Sequence, residues 1–265
     1  MLLHPARPSL VLKPKQRFLR FVCQQKAMSV SANNHRGQRP LVVAVEGNIG
    51  VGKTTAVQML SSMFPKSKVM QEPIEQWRHV RSSVDTDKEF NFLDLFYKDA
   101  GNYALPFQVL VQTSYYGAYN ALYQDSLNSG CDIIFTERTL ATNLLVYGRL
   151  LRKNGLLSAE QYAILETLFN TNCSVSPSLT TYDLIVYLHA PPNVCLERIL
   201  TRHRCEETQI SVDYLRQVDR MYEQWRESEF EPLKPGKTVV LETKDYQLSK
   251  LQSKLKETVA NVINC

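Results

Sequence analysis

A chain of 265 residues, 44% hydrophobic and 22% charged, has the composition of an ordinary globular domain large enough to bury one core. It contains no run of eighteen apolar residues, which excludes a transmembrane helix and leaves no membrane partner to expect. The net charge of +5 misleads: residues 1–45 hold eight Lys and Arg and no Asp or Glu, so the rest carries 23 bases against 26 acids and has no basic footprint for nucleic acid. Six scattered cysteines (Cys23, Cys131, Cys173, Cys195, Cys205, Cys265), with no C-x-x-C pair, suit reduced thiols better than a disulfide framework or a zinc site.

Residues 1–40 read as a basic leader and linker. Met1–Lys26 is Arg-rich and acid-free, with Leu, Val and Phe interspersed, the composition of a mitochondrial transit peptide; a disordered basic tail is the alternative. Met28 offers an internal start that would give a cytosolic form. The folded domain is expected over residues 41–265.

Leu41–Val45 is a short β-branched run that predicts a buried strand. Behind it, Gly47-Asn48-Ile49-Gly50-Val51-Gly52-Lys53-Thr54 satisfies G-x-x-x-x-G-K-[ST], and a helix is expected from Thr54. Strand, glycine loop and helix together make a phosphate cradle. Backbone N–H groups and the positive helix end face the phosphates, Lys53 reaches the β- and γ-phosphates, and the Thr54 hydroxyl holds Mg²⁺. Lys68–Glu72 predicts a second strand that ends on an acid before Pro73. Residues 90–98 have near-helical spacing, and a long helix is expected from Pro106, placed at its start where a missing N–H costs nothing, to about residue 127. Asp132–Thr136 predicts the third strand, ending at Glu137-Arg138, followed by helices over about 140–152 and 158–170. Strands over 183–188 and 238–241 and helices over 191–200, 212–227 and 248–262 complete the pattern. Such alternation implies an α/β fold with a mostly parallel sheet covered on both faces. Ligands sit at the carboxyl ends of the strands in such sheets, so the three strand tips at Gly47, Glu72 and Glu137-Arg138 are expected to converge.

Phosphoryl transfer needs positioning, charge neutralisation and a group to take the proton of the attacking hydroxyl. Glu72 is the candidate base, although on its own it reads more readily as a surface acid, and its force comes from the run Glu72–Trp77. Arg138 could neutralise developing charge with Glu137 on the metal side, or the two could form a loop ion pair. Arg198, Arg202 and Arg204, at or beyond a helix end, could close over a triphosphate; a solvated basic face is the plainer account. Tyr97, Phe107, Gln108 and Tyr115 supply aromatic faces and an amide able to pair with a base edge, or form ordinary core.

Taken together, Glu-Pro-x-x-x-Trp at 72–77, Tyr-Lys-Asp at 97–99, Pro-Phe-Gln at 106–108, Glu-Arg-Thr at 137–139 and Arg-x-x-x-Arg-x-Arg-x-Glu-Glu at 198–207 follow a Gly-Asn-Ile-Gly loop in one order. The set resembles the deoxynucleoside kinases (the insect multisubstrate enzyme, mitochondrial thymidine kinase 2, deoxycytidine kinase and deoxyguanosine kinase) over roughly residues 41–245. The resemblance implies a P-loop kinase fold with a five-stranded parallel sheet and an Arg-rich lid, usually in a homodimer. It also implies ATP-dependent 5′-phosphorylation of deoxynucleosides for nucleotide salvage. Under it, Glu72 is the general base, Arg138 and Lys53 aid transfer, and Thr54 and Glu137 serve Mg²⁺. Residues 47–55, including Thr55, bind ATP together with a lid of Arg198, Arg202 and Arg204. Tyr97 and Glu207 hold the 3′-hydroxyl, Gln108 pairs with the base, and Trp77, Phe107 and Val111 shape its pocket. At the positions that sort base preference the chain has Val111, Tyr115 and Asn143; Val111 matches the thymidine acceptors, while Tyr115 and Asn143 match neither subgroup, and pyrimidines are favoured. Two rivals are a thymidylate kinase-like nucleoside monophosphate kinase and a non-catalytic kinase-fold subunit of a respiratory complex. The first would call for more basic residues on the acceptor side, and the second need not keep Lys53, Thr54 and Glu72.

Overall fold

The computed structural model describes residues 39–84, 87–233, 235–244 and 247–263, so the leader reading falls, apart from Arg39 and Pro40, outside the described residues. Strand β1 (Leu41–Gly47) is buried along nearly its whole length, because its side chains are covered on both sheet faces. It pairs in parallel with β5 (Ile133–Glu137) on one side and β6 (Leu184–His189) on the other. Strand β2 (Ser67–Met70) adds to β5, and β7 (Lys237–Glu242) adds to β6, both in parallel. The order β2-β5-β1-β6-β7 makes the expected five-stranded parallel sheet. The chain fills one side of β1 before crossing to the other, so the carboxyl end of β1 is the switch point where a ligand crevice opens. The antiparallel pair β3 (Val80–Arg81) and β4 (Glu89–Phe90) is not foreseen from the sequence.

The described residues form ten α-helices: α1 (Lys53–Met63), α2 (Ile74–Arg78), α3 (Phe92–Lys98), α4 (Ala100–Ser129), α5 (Leu140–Thr142), α6 (Arg149–Lys153), α7 (Ala159–Val175), α8 (Pro192–Thr201), α9 (Val212–Glu227) and α10 (Leu248–Ile263). Ala56, Val57 and Leu60 of α1 pack with Val43, Val45, Phe135 and Leu255 in the core on one face. That packing anchors the first turn of α1 under the glycine loop.

Three expectations need correction. The long helix α4 begins at Ala100, not Pro106, because the Asp99 carboxylate caps it by accepting from the backbone N–H of Asn102 at 3.2 Å. Pro106 therefore lies inside the helix, where it forgoes one backbone hydrogen bond. Strand β2 stops at Met70, short of Glu72. The Glu72 carbonyl accepts from Ile74 N at 2.8 Å, an inverse γ-turn about Pro73 that swings Glu72 out of the sheet. The helix expected over 140–152 is broken by a π-helical stretch, Asn143–Gly148. Such insertions re-aim side chains beside functional sites.

Candidate active site

The tips of β1 and β5 and the turn after β2 open onto one cleft enclosing about 950 Å³ out to solvent. Its floor is the glycine loop. A Cβ at Gly47 (φ +138°) would lie 2.3 Å from the Leu188 carbonyl oxygen, and one at Gly50 (φ +78°) 2.4 Å from that of Cys195. Only glycine lets the loop pass this close to β6 and α8 while keeping its left-handed turns. Asn48 pins the loop from below, donating from Nδ2 to Leu215 O at 2.9 Å and accepting from Ile49 N at 2.8 Å.

Lys53 Nζ is buried and donates to Asn48 O at 2.9 Å. Burial, followed by the neighbouring Arg138 charge, lowers its pKa to about 8, while Glu72, Glu137 and Glu46 oppose the shift. An ammonium held this poorly gains strongly from a polyphosphate. Beside it, the Thr54 hydroxyl donates to the Glu137 carboxylate at 3.0 Å. Burial and then the like charge of Glu72 raise the Glu137 pKa, opposed by Lys53 and Arg138. A hydroxyl and a carboxylate are hard oxygen donors that suit Mg²⁺. Among the described residues there is no cluster of three His, Cys, Asp or Glu, so an ion here would complete its shell from phosphate and water.

Arg138 organises the wall of the cleft beside Glu72. Its backbone is left-handed (φ +66°), unusual for a residue with a side chain. The strained peptide is held through its carbonyl oxygen, which accepts from the Tyr115 hydroxyl at 2.6 Å and from Thr136 Oγ1 at 2.9 Å. The buried guanidinium donates from Nε to Glu72 Oε1 at 2.7 Å, and from Nη1 to Gly47 O at 3.0 Å and to the Tyr222 hydroxyl. It also lies over the Tyr147 ring, 5.2 Å from the centroid.

Opposite stands an aromatic wall. Phe107 packs edge-on against Trp77 (5.6 Å, 86°) and stacks with Phe96 (4.9 Å, 20°), while Trp77 Nε1 donates to Ser114 Oγ at 2.8 Å. Gln108 and Asn143 meet at its edge. Asn143 Nδ2 donates to Gln108 Oε1 and, at 3.4 Å, to the Gln108 main-chain carbonyl. Since a main-chain carbonyl only accepts, this contact orients the Asn143 amide, and Asn143 in turn orients Gln108. Gln108 is left with its N–H₂ to offer, and Asn143 with Oδ1, which is buried without a hydrogen-bond partner. The pair thus keeps one amide donor and one amide acceptor outside its own hydrogen bond.

Tyr97 and Glu207 close the cleft beside the lid. Burial holds the Tyr97 hydroxyl well above its usual pKa and keeps it protonated. The Glu207 carboxylate accepts from Arg202 at 2.6 Å and from Arg204 at 3.3 Å.

Of the residues singled out from sequence, Ile49, Gly50, Lys53, Thr54, Glu72, Trp77, Tyr97, Phe107, Gln108, Val111, Tyr115, Glu137, Arg138, Asn143, Arg202, Arg204 and Glu207 line this one cleft. Gly47, Asn48, Val51, Gly52 and Thr55 shape the loop from outside it. Arg198 is placed apart from Arg202 and Arg204. It lies on α8 and donates to Val51 O at 3.3 Å and to Thr243 O, so it braces the loop from behind rather than facing the cleft. The reason is positional: Arg198 sits within the helix, whereas Arg202 and Arg204 lie past its end. Sequence reasoning missed Tyr147, Tyr214, Tyr222, Thr142 and Glu46. Only Glu46 left a signal, as an acid inside a buried apolar run.

A family model described as "Deoxynucleoside kinase" matches residues 43–264. The chain is 32% identical over 190 residues to a thymidine kinase of Ictalurid herpesvirus 1 (strain Auburn), covering 71% of this chain and 75% of that protein. It is 29% identical over 204 residues to thymidine kinase 2, mitochondrial, of Macaca fascicularis (76% and 70% covered). With the deoxycytidine kinase of Rattus norvegicus it shares 27% identity over 206 residues (74% and 79% covered).

Proposed function

The chain belongs to the deoxynucleoside kinase family and is a deoxynucleoside kinase, and we propose that it transfers the γ-phosphoryl group of ATP to the 5′-hydroxyl of a deoxynucleoside, pyrimidines favoured, in nucleotide salvage. Family membership displaces the thymidylate kinase-like and non-catalytic readings. The observation that carries the residue assignments is the Glu72–Arg138 contact of 2.7 Å, facing Lys53, Thr54 and Glu137 across one cleft.

In this reading the aromatic wall of Trp77, Phe107 and Val111 takes the base, Gln108 and Asn143 pair with its edge, and Tyr97 and Glu207 hold the 3′-hydroxyl. The 5′-hydroxyl then faces Glu72. As its oxygen bonds to the γ-phosphorus, its proton passes to Glu72, the bond from that phosphorus to the β–γ bridging oxygen breaks, and ADP leaves. Arg138, Lys53 and the loop N–H groups oppose the charge on the transferring group, and Arg202 and Arg204 close over the donor phosphates. Thr54 and Glu137 would hold Mg²⁺, which when bound neutralises phosphate charge.

The pyrimidine preference is supported by the printed names of the relatives, which are thymidine and deoxycytidine kinases, and by Val111 at the cleft wall. Transfer of label from γ-labelled ATP to thymidine, deoxycytidine, deoxyadenosine and deoxyguanosine tests it. Higher kcat/KM for the two pyrimidines supports the proposal, and a purine preference overturns it. The reading includes a homodimer, to be tested by light scattering. It also includes mitochondrial import directed by residues 1–40, supported by the mitochondrial relative; diffuse signal from a reporter fused to those residues would count against import.

A further inference from the structure

Arg138 faces two carboxylates, and only one of them is reachable from the cleft. Glu72, whose side chain is 20% exposed, bonds Nε directly. Glu46 is fully buried and reaches Arg138 through a relay: Arg138 Nη1 donates to the Tyr222 hydroxyl, which itself donates to Glu46 Oε2 at 3.0 Å. The Tyr222 proton is committed to Glu46, so its lone pair is what Arg138 meets. The other Glu46 oxygen accepts from Thr142 Oγ1. A carboxylate placed in the central strand of a sheet, in an otherwise apolar run, carries a large desolvation cost unless it is bonded at both oxygens and faces a cation. Thr142 of α5, Tyr222 of α9 and, through Tyr222, Arg138 just past β5 supply these partners, and they oppose the upward pull of burial on the Glu46 pKa.

We propose that Tyr222, backed by Glu46, is a positioning residue for Arg138, a sealed second anchor that keeps the guanidinium aimed into the cleft when Glu72 takes the substrate proton and ceases to be its counter-charge. The proposal rests on the assignment of Glu72 and Arg138 above. The geometry explains why one anchor would not suffice. During transfer Glu72 becomes neutral while the phosphoryl oxygens pull on Arg138. With Glu72 as the only charged partner, the guanidinium would be free to follow that pull just when its position matters. Nη1 bound to Gly47 O and to Tyr222, itself held by Glu46, resists it. Because the relay is sealed from the cleft, it should affect transfer and leave ground-state binding alone.

The test is a double-mutant cycle on the full-length enzyme, with Tyr222→Phe and Arg138→Lys alone and combined, assayed with ATP and its best deoxynucleoside. Phenylalanine keeps the ring among Tyr187 and Trp225 and removes only the hydroxyl. Tyr222→Phe is expected to lower kcat about tenfold or more, with KM for both substrates within about twofold. In the Arg138→Lys background, which lacks the guanidinium fork, it should lower kcat by less than about twofold. An unchanged kcat in Tyr222→Phe, or an equal fall in both backgrounds, overturns the proposal. If Tyr222→Phe fails to fold, Glu46→Gln carries the same test, since the amide can still bond Tyr222 and Thr142 while the charge is gone. An Arg138→Lys enzyme with wild-type kcat would instead remove the underlying role of Arg138, a failure distinguishable from that of the relay.

Discussion

Arg138 Nε stands 2.7 Å from Glu72 Oε1, joining a residue just past the end of β5 to one 66 positions earlier on the turn after β2. The contact fixes which Glu72 oxygen remains for a substrate. Oε1 is engaged by the guanidinium, so under the proposed reaction Oε2 is the one to meet a hydroxyl proton.

Replacing Glu72 with Gln keeps an oxygen for Arg138 and removes the proton acceptor. We expect kcat to fall by about 10²–10⁴ with nucleoside KM within about threefold, the usual worth of a general base. Steady-state kinetics decide it, and equal turnover would take Glu72 out of the mechanism.

Gln108 and Asn143 hold each other's amide orientation. Gln108→Ala should raise nucleoside KM roughly tenfold or more and leave ATP KM unchanged; an unmoved KM for every base refutes its role. Asn143→Ala releases Gln108 to turn over. It should narrow the spread of kcat/KM among the four deoxynucleosides, and a spread as wide as in the wild type would show that Gln108 is fixed by something else.

Lys53 sets a pH signature. Its folded pKa of about 8 lies below the unfolded value near 10.5, so between those values the unfolded chain binds more protons. Stability contributed at this site therefore rises as pH climbs from about 8 toward 10.5, because the buried charge is lost. Urea unfolding without nucleotide or metal, at pH 7.5 and 9.5, should show the wild type gaining on Lys53→Met at the higher pH. Parallel changes in the two proteins would mean that the lysine is not strained by burial. The same strain predicts proton uptake when ATP binds near pH 9, readable by calorimetry in buffers of different ionisation enthalpy.

Thr54→Val removes the hydroxyl that bonds both Glu137 oxygens. We expect the Mg²⁺ concentration for half-maximal activity to rise roughly tenfold, with nucleoside KM unchanged. An unaltered Mg²⁺ dependence would place the ion elsewhere.

What the chain revealed on its own was local in origin. The glycine loop is legible because Gly47, Gly50 and Gly52 all adopt backbone angles that side chains resist, and that demand is written into the residues themselves. Strands and helices were legible because burial on a sheet face or a helix stripe imposes a period, and the convergence of three strand tips followed from a rule about parallel sheets. Pro106 and the π-helical stretch Asn143–Gly148 were misread for the complementary reason. The Asp99 cap started the helix six residues before Pro106, and an i→i+5 insertion has no composition of its own.

Only the tertiary structure decided which side chains share an environment. Arg198 matches the spacing of a lid arginine, yet its place within α8 turns it onto the back of the loop. Tyr222 lies 84 residues from Arg138 and 176 from Glu46, so no spacing could announce their contact. Sequence patterns record the conformational preferences of neighbours along the chain. The cost of burying Glu46 and Arg138 is met by partners that packing alone brings near, and the division of roles around the cleft follows from that.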